Sequence, residues 1–296
     1  MIHTAAKDAA APPGGRYVSL NDLTVLRGFE PLLQRHKLDT LDALFCAQGQ
    51  RLDKPGLSSW RERLRLSLDD ADSRRVLYLK RFREAPSAVQ REVRRSGCRA
   101  SSLAGLEWNW ISRLERDGIP CMEPVAMGEE LKASREQRSA ILTAAVPGVS
   151  LEVWMDQWGE PERATIRRLI APLANLTARL HSRGYVHRDL YLSHVFYDPS
   201  KPDNQSLHLI DLQRVMRPSL RWRRWIIKDL AALNFSAPKR LVSASDRVRW
   251  LRAYLGIVKL DATARRLAYR VVGKTLAIAR HERSRRAGVA KRSNNA

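Results

Sequence analysis

183-RGYVHRDLYLSHVFYD-198 decides how the rest of this chain is read. Gly184 closes the segment before it, His187-Arg188-Asp189 follows, and His194 stands five residues past the aspartate. Upstream, 162-ERATIRRLIAPLANLTARLHSRG-184 carries Ile166, Leu169, Ile170, Leu173, Leu176 and Leu180 along one face. That spacing predicts an amphipathic helix stopped by glycine, with Pro172 inside it expected to kink or weaken it. Downstream, 191-YLSHVFYD-198 and 206-SLHLIDLQRV-215 are short apolar runs separated by 199-PSKPDN-204. Two strands joined by a turn are expected there, with Asp211 inside the second.

Working outward, 59-SWRERLRLSLDD-70 alternates apolar and charged residues, most clearly in its second part, and 74-RRVLYLKRF-82 is an apolar run ending in Lys80. Both read as strands, as do the runs around 123-EPVAMG-128 and 139-SAILTAAV-146. A helix is expected around 23-LTVLRGFEPLLQRH-36. Another is expected over 101–117, where Leu103, Leu106, Trp110, Ile111 and Leu114 keep helical spacing before Gly118. Pro147-Gly148 breaks the chain, and from Arg224 it reads as helices to about Ala279. Strands thus lead and helices follow, with the change near Gly148. The expected division is a disordered leader (1–15), a nucleotide-binding N-lobe (16–148), a C-lobe with catalytic loop, metal site and acceptor site (149–280), and a basic tail (281–296).

The 296 residues suffice for one large or two modest domains, and a hydrophobic content of 44% is ordinary for a globular chain. No apolar run reaches the roughly 18 residues that span a bilayer. The Ala/Pro/Gly-rich start lacks the apolar core of a signal peptide. Three scattered cysteines without a CxxC pair fit reduced thiols. The formal charge of +22 calls for a polyanionic partner: nucleic acid, an anionic membrane or a phosphorylated substrate. A solvated basic surface explains part of it. The stretch 217-RPSLRWRRWIIK-228, with five basic residues, two tryptophans and no acid, suits an interfacial patch.

The order of polar residues points to phosphoryl transfer from ATP with Mg2+. That chemistry needs a cation on the phosphates, an anion positioning it, a carboxylate for the acceptor proton and another for the metal. Lys80 closing an apolar strand, Glu107 on a helix, Asp189 after His187-Arg188, and Asp211 fit these parts in turn. Asp211 follows Asp189 by 22 residues, room for one hairpin that brings both to a shared cleft with Lys80. Each residue has a plainer reading alone: a surface lysine, an exposed helix carboxylate, a polar turn. Together they favour an α+β, two-lobed protein-kinase-like fold, with a small β-rich N-lobe and a larger helical C-lobe.

GYVHRDLYLSHVFYD, LHLIDLQRV and 222-WRRWIIKDLAALNFSA-237 resemble blocks of the lipopolysaccharide core kinases, the Kdo/WaaP family of the protein-kinase-like superfamily. The resemblance covers about residues 60–240. It implies a kinase for a sugar hydroxyl of a lipid-linked core (heptose or Kdo), at the cytoplasmic face of the inner membrane. Asp189 with His187, Arg188 and His194 would be catalytic, Lys80 and Glu107 would bind nucleotide, and Asp211 would hold the metal. Asp229 would brace the catalytic loop from a helix. At the position of His194 protein kinases carry an asparagine that binds a second magnesium. Because imidazole is a poor first choice for Mg2+, His194 is expected to orient Asp189 or Asp211, or else to be a packed core histidine. A zinc site from His181, His187 and His194 is not expected.

The chain departs from kinase patterns in having no G-x-G-x-x-G before Lys80, where amides of Ser58 and Ser59 are expected instead. It reads Asp-Leu-Gln for Asp-Phe-Gly, and no activation-loop phosphosite is evident between Asp211 and Asp229. ATP, the core sugar and an anionic membrane are the expected partners, the chain acting as a monomer and nucleic acid not expected. A kinase for another small molecule or a protein remains open at this point. So does a basic pseudokinase or adaptor on membrane or nucleic acid.

Overall fold

A computed structural model of the chain describes residues 15–52, 58–70, 73–96, 98, 100–157 and 163–293. The expected leader, Gly15 apart, lies outside the described residues, as do 53–57 just ahead of Ser58 and 294–296 of the tail. The chain divides into two compact units: Met1–Arg95, Arg99–Asn109 and Glu123–Ala145 in the first; Ser96–Cys98, Trp110–Met122 and Val146–Ala296 in the second. The sequence division at 148/149 kept all of 16–148 together, whereas Trp110–Met122 groups here with the later residues.

The first unit is built on a seven-stranded antiparallel sheet in the order β1-β2-β6-β7-β5-β4-β3. Its strands are β1 (Tyr17–Leu20), β2 (Leu23–Leu26), β3 (Gln50–Arg51), β4 (Arg61–Asp70), β5 (Ser73–Arg83), β6 (Pro124–Lys132) and β7 (Arg135–Ala144). β4 and β5 pair with Leu64 opposite Leu79 and Leu66 opposite Leu77. These four leucines share one buried cluster with Leu33 and Leu44 of helices α1 (Glu30–Arg35) and α2 (Leu41–Cys46). Side chains alternate along a strand, so Lys80, next to Leu79 on a central strand, is sent to the opposite face.

The single helix expected over 23–36 is corrected. Leu23–Leu26 is a strand, Gly28 turns the chain at φ +94, and α1 starts only at Glu30 with Pro31 in its first turn. Leu23 and Val25 alternate into the core, a period of two that Leu26, Leu32 and Leu33 beyond them concealed.

Helices α3 (Ser87–Arg95) and α4 (Leu103–Arg116) follow β5. The start of α4 is tied to β7: Leu103 N–H donates to Glu136 Oε2 at 3.1 Å and Ala104 N–H to Ser139 Oγ at 3.2 Å. Ser139 Oγ in turn donates to Glu136 Oε1 at 2.5 Å. These side chains satisfy helix-end donors that would otherwise be buried without partners. Ser139→Ala is expected to cost about 1 kcal/mol, read as a lower urea midpoint with unchanged slope.

The second unit holds a three-stranded antiparallel sheet, β8 (Val149–Ser150), β9 (Val195–Tyr197) and β10 (Leu207–Leu209), in the order β10-β9-β8. Its helices are α5 (Leu151–Gln157), α6 (Arg163–Ser182), α7 (Trp222–Ser236), α8 (Ala244–Leu255) and α9 (Ala262–Ser293). Gly148 is required where β8 begins: it has φ +83, and a Cβ there would lie 2.0 Å from the Tyr197 carbonyl oxygen. Helix α6 runs through Pro172 without a break. It ends where Gly184, at φ +83, lets Tyr185 N–H reach back to Leu180 O at 3.1 Å.

Two expectations change here. Strand β10 ends at Leu209, and Asp211 stands beyond it in the left-handed region (φ 58, ψ 59), followed by a 3-10 turn, Leu212–Arg214. Aspartate tolerates that conformation because its short side chain can bond locally. The expected tail from 281 is helical as far as Ser293, part of α9, with an Arg285–Glu282 ion pair on its surface. Among the described residues no helix is long and apolar enough to cross a membrane.

Candidate active site

In the first unit, the sheet and α4 bring Lys80 and Glu107 together. Lys80 Nζ donates to Glu107 Oε1 at 2.6 Å, and Glu107 has no exposed surface. Its other oxygen, Oε2, is buried with no hydrogen-bond partner among the described residues. A carboxylate buried this deeply needs its cation, so the pair fixes the ammonium against α4. Glu107→Gln is expected to weaken Mg·ATP binding about tenfold or more, since a neutral amide no longer holds the ammonium in place. Equilibrium nucleotide titration checks this.

In the second unit, the loop after α6 is gripped from α7. Asp229 is wholly buried and accepts the backbone N–H groups of His187 at 2.7 Å and Arg188 at 2.8 Å. His181 Nε2 lies 3.4 Å from the same carboxylate, and its Nδ1 is 2.8 Å from Tyr254 Oη. Burial, with the Asp229 charge beside it, pushes the Tyr254 phenol up. It therefore stays protonated and donates to Nδ1, leaving Nε2–H for Asp229. Helices α6, α7 and α8 thus meet in one polar chain ending on two loop amides. Arg188 takes φ 71, a left-handed conformation that an arginine rarely adopts unless its surroundings impose it.

His187 is fully buried, and its Nε2–H donates to Ile210 O at 3.0 Å, linking the loop to the segment after β10. Burial lowers its proton affinity, so the ring is neutral. His194, in the 3-10 turn Leu192–His194, donates from Nδ1 to the Asp189 carbonyl at 2.8 Å. Its other ring nitrogen, Nε2, faces Asp211 Oδ2, 3.8 Å away.

No three His, Cys, Asp or Glu side chains among the described residues could enclose a metal by themselves. The Asp211 carboxylate still fits magnesium, which is commonly held by one or two carboxylates with water and phosphate oxygens completing the shell. The Asp189 carboxylate itself accepts from Arg214 Nη1, at 2.9 Å to Oδ1 and 2.7 Å to Oδ2.

The structure therefore gathers Asp189, His187, Arg188, His194, Asp211 and Asp229 around one loop, and pairs Lys80 with Glu107 in the first unit. Sequence reasoning missed Arg214 and Tyr254, and weighed His181 only for the zinc site that it did not expect. Arg214 was within reach, being the basic residue that closes the Asp-Leu-Gln-Arg run. His181 follows the last leucine of the apolar stripe on α6, where a buried polar residue signals a partner.

A mixed α/β chain with a strand lysine paired to a helix glutamate and a braced His-Arg-Asp loop is of the kinase-like class. A solved structure, "WaaP in complex with acyl carrier protein", is similar with a TM-score of 0.62 and 28% identity, over 89% of this chain and 98% of that one. The chain belongs to the lipopolysaccharide kinase (Kdo/WaaP) family, whose model matches residues 62–254. Among curated relatives, lipopolysaccharide core heptose(I) kinase WaaP of Pseudomonas aeruginosa is 37% identical over 154 residues, 50% of this chain and 58% of that protein. WaaP of Escherichia coli K12 is 31% identical over 160 residues, 52% of this chain and 60% of the relative. The aligned part thus spans somewhat under two thirds of each.

Proposed function

We propose that this chain is an ATP-dependent phosphotransferase acting on a sugar hydroxyl of the lipopolysaccharide core, a heptose by analogy with its relatives. The first unit serves as a nucleotide-binding lobe and the second as a catalytic lobe. The observation that carries the reading is the double grip of Asp229 on the His187 and Arg188 amides, which holds Asp189 beside His194 and Asp211. Asp189 accepts the hydroxyl proton while the sugar oxygen bonds to the γ-phosphorus. The bond from that phosphorus to the bridging oxygen breaks, and ADP leaves. Lys80, held by Glu107, carries the phosphates. Asp211, with His194 beside it, would hold magnesium, which when bound supplies positive charge to the phosphate oxygens. His187, buried and neutral, positions the loop.

The net charge of +22 supports action against anionic headgroups. Helix α9 adds an exposed row of Tyr269, Val272 and Leu276 flanked by Arg266, Arg270 and Arg280, suited to the inner face of a membrane. Because the solved neighbour is a complex with acyl carrier protein, such a carrier is a partner to test by co-purification.

The deciding experiment supplies labelled ATP and dephosphorylated core oligosaccharide, then locates the label by mass spectrometry. Label on a heptose hydroxyl is expected. A core left unlabelled while another acceptor is phosphorylated would refute the substrate, and no transfer to any acceptor would refute the activity.

A further inference from the structure

Two backbone segments of the second unit are tied together around Asp189. Val186 and Met216 exchange both backbone hydrogen bonds, at 3.0 and 3.1 Å, and the His187 ring donates to Ile210 O at 3.0 Å. Between these ties lies the 3-10 turn Leu212–Arg214, closed by Val215 N–H on Leu212 O at 3.0 Å, with Leu212, Gln213 and Val215 buried. The backbone is thus held at Arg214, as it is at Asp189, whose carbonyl accepts from the Tyr191 N–H and the His194 ring, each at 2.8 Å. None of these bonds fixes the Asp189 carboxylate, which turns on its own side-chain torsions. Among the described residues it has one hydrogen-bond partner: Nη1 of Arg214, shared between Oδ1 at 2.9 Å and Oδ2 at 2.7 Å. An ionised carboxylate offers about four lone-pair positions. A nitrogen lying between the two oxygens takes the inner pair and leaves an outer position on each.

We infer that Arg214 is the positioning residue for the base: it sets the direction of the Asp189 carboxylate so that an outer lone pair meets the acceptor hydroxyl. This role rests on the phosphotransferase reading above and adds the residue that aims the carboxylate. Arg214 acts through Asp189 and needs no contact with nucleotide or acceptor. The proton passes from the hydroxyl to the outer position, while the guanidinium stays on the inner side. Because a single nitrogen serves both oxygens, the contact is that of a point charge and not of a two-pronged fork. A lysine should therefore replace it in part, its shorter side chain limiting the reach.

Full-length Arg214→Ala and Arg214→Lys are compared with the parent in transfer from labelled ATP to dephosphorylated core oligosaccharide. Arg214 is half-exposed, so removing its side chain leaves the buried Leu212 and Val215 in place. Arg214→Ala is expected to lower kcat about tenfold to a hundredfold, the loss that follows a misplaced catalytic group, with KM for ATP unchanged. Arg214→Lys should recover part of that loss. Millimolar guanidinium chloride, against the same concentration of sodium chloride, should raise the rate of Arg214→Ala and leave that of the parent unchanged. An arginine with a merely structural role would instead give a lowered urea midpoint and no rescue by free guanidinium. In an Asp189→Ala background, loss of Arg214 should have no further effect on the single-turnover rate, since the arginine acts only through that carboxylate. A variant as fast as the parent makes the contact idle, and one faster than the parent makes it a block on the base; either overturns the role. So does a change confined to KM for ATP, or a further loss in the Asp189→Ala background. In each of these cases the parent still transfers phosphate and the activity stands, whereas a parent that transfers to no acceptor removes the activity and this role together.

Discussion

Asp189→Ala is expected to lower phosphoryl transfer roughly a hundred- to ten-thousandfold, the usual range for a lost general base, while the folded chain still binds Mg·ATP. The expectation follows from how the loop is held. Asp229 and His187 fix the backbone just before the aspartate, and His194 ties down its carbonyl. None of these bonds uses the Asp189 carboxylate, whose sole described partner is Arg214 on the surface. Truncating that side chain thus removes a proton acceptor without unpacking anything. Nucleotide affinity should persist, because Lys80, Glu107 and Asp211 are untouched. Single-turnover rates with labelled ATP, beside equilibrium nucleotide titration, separate the two effects. Transfer at a tenth or more of the parent rate would remove Asp189 from the chemistry, and loss of ATP binding in step with activity would make it a nucleotide ligand instead.

How much of this was legible in the sequence depended on whether a signal was local. The β4–β5 hairpin and α6 were readable because leucines repeat at periods of two and of three to four over ten or more residues. Short elements were not: Leu23–Leu26 is four residues long and merged with the leucines of α1, and Asp211 looked strand-borne because Ile210 and Leu212 flank it. Candidate residues emerged from their order, whereas their partners did not. Glu136 and Ser139, which set the start of α4, come from a strand more than thirty positions away. His181 and Tyr254 are joined across 73 positions. Such bonds have no sequence period, and only packing reveals them. The tail looked separate because of its charge, yet net charge constrains partners and not secondary structure.

The second large effect falls on stability. Asp229→Ala is expected to cost about 3 kcal/mol or more, since it strands two buried N–H groups, each worth roughly 1–3 kcal/mol when left without an acceptor. The loss does not stop there. His181 would face an emptied space with its Nε2–H unmatched, and the left-handed turn at Arg188 would lose the bond that holds it. Asparagine, though isosteric, replaces one acceptor oxygen by an NH2 group. One of the two amides then meets a donor, so Asp229→Asn should recover only part of the loss. Urea unfolding of the two variants beside the parent measures both steps, and the order parent, asparagine, alanine is the specific expectation. A cost of Asp229→Ala within about 0.5 kcal/mol, the usual spread for surface changes, would mean the loop is held by other contacts. Transfer activity gives the companion readout. If Asp229 acts through the loop, both variants lose rate in proportion to how far they free the His187 and Arg188 amides, which hydrogen exchange at those two positions reports directly.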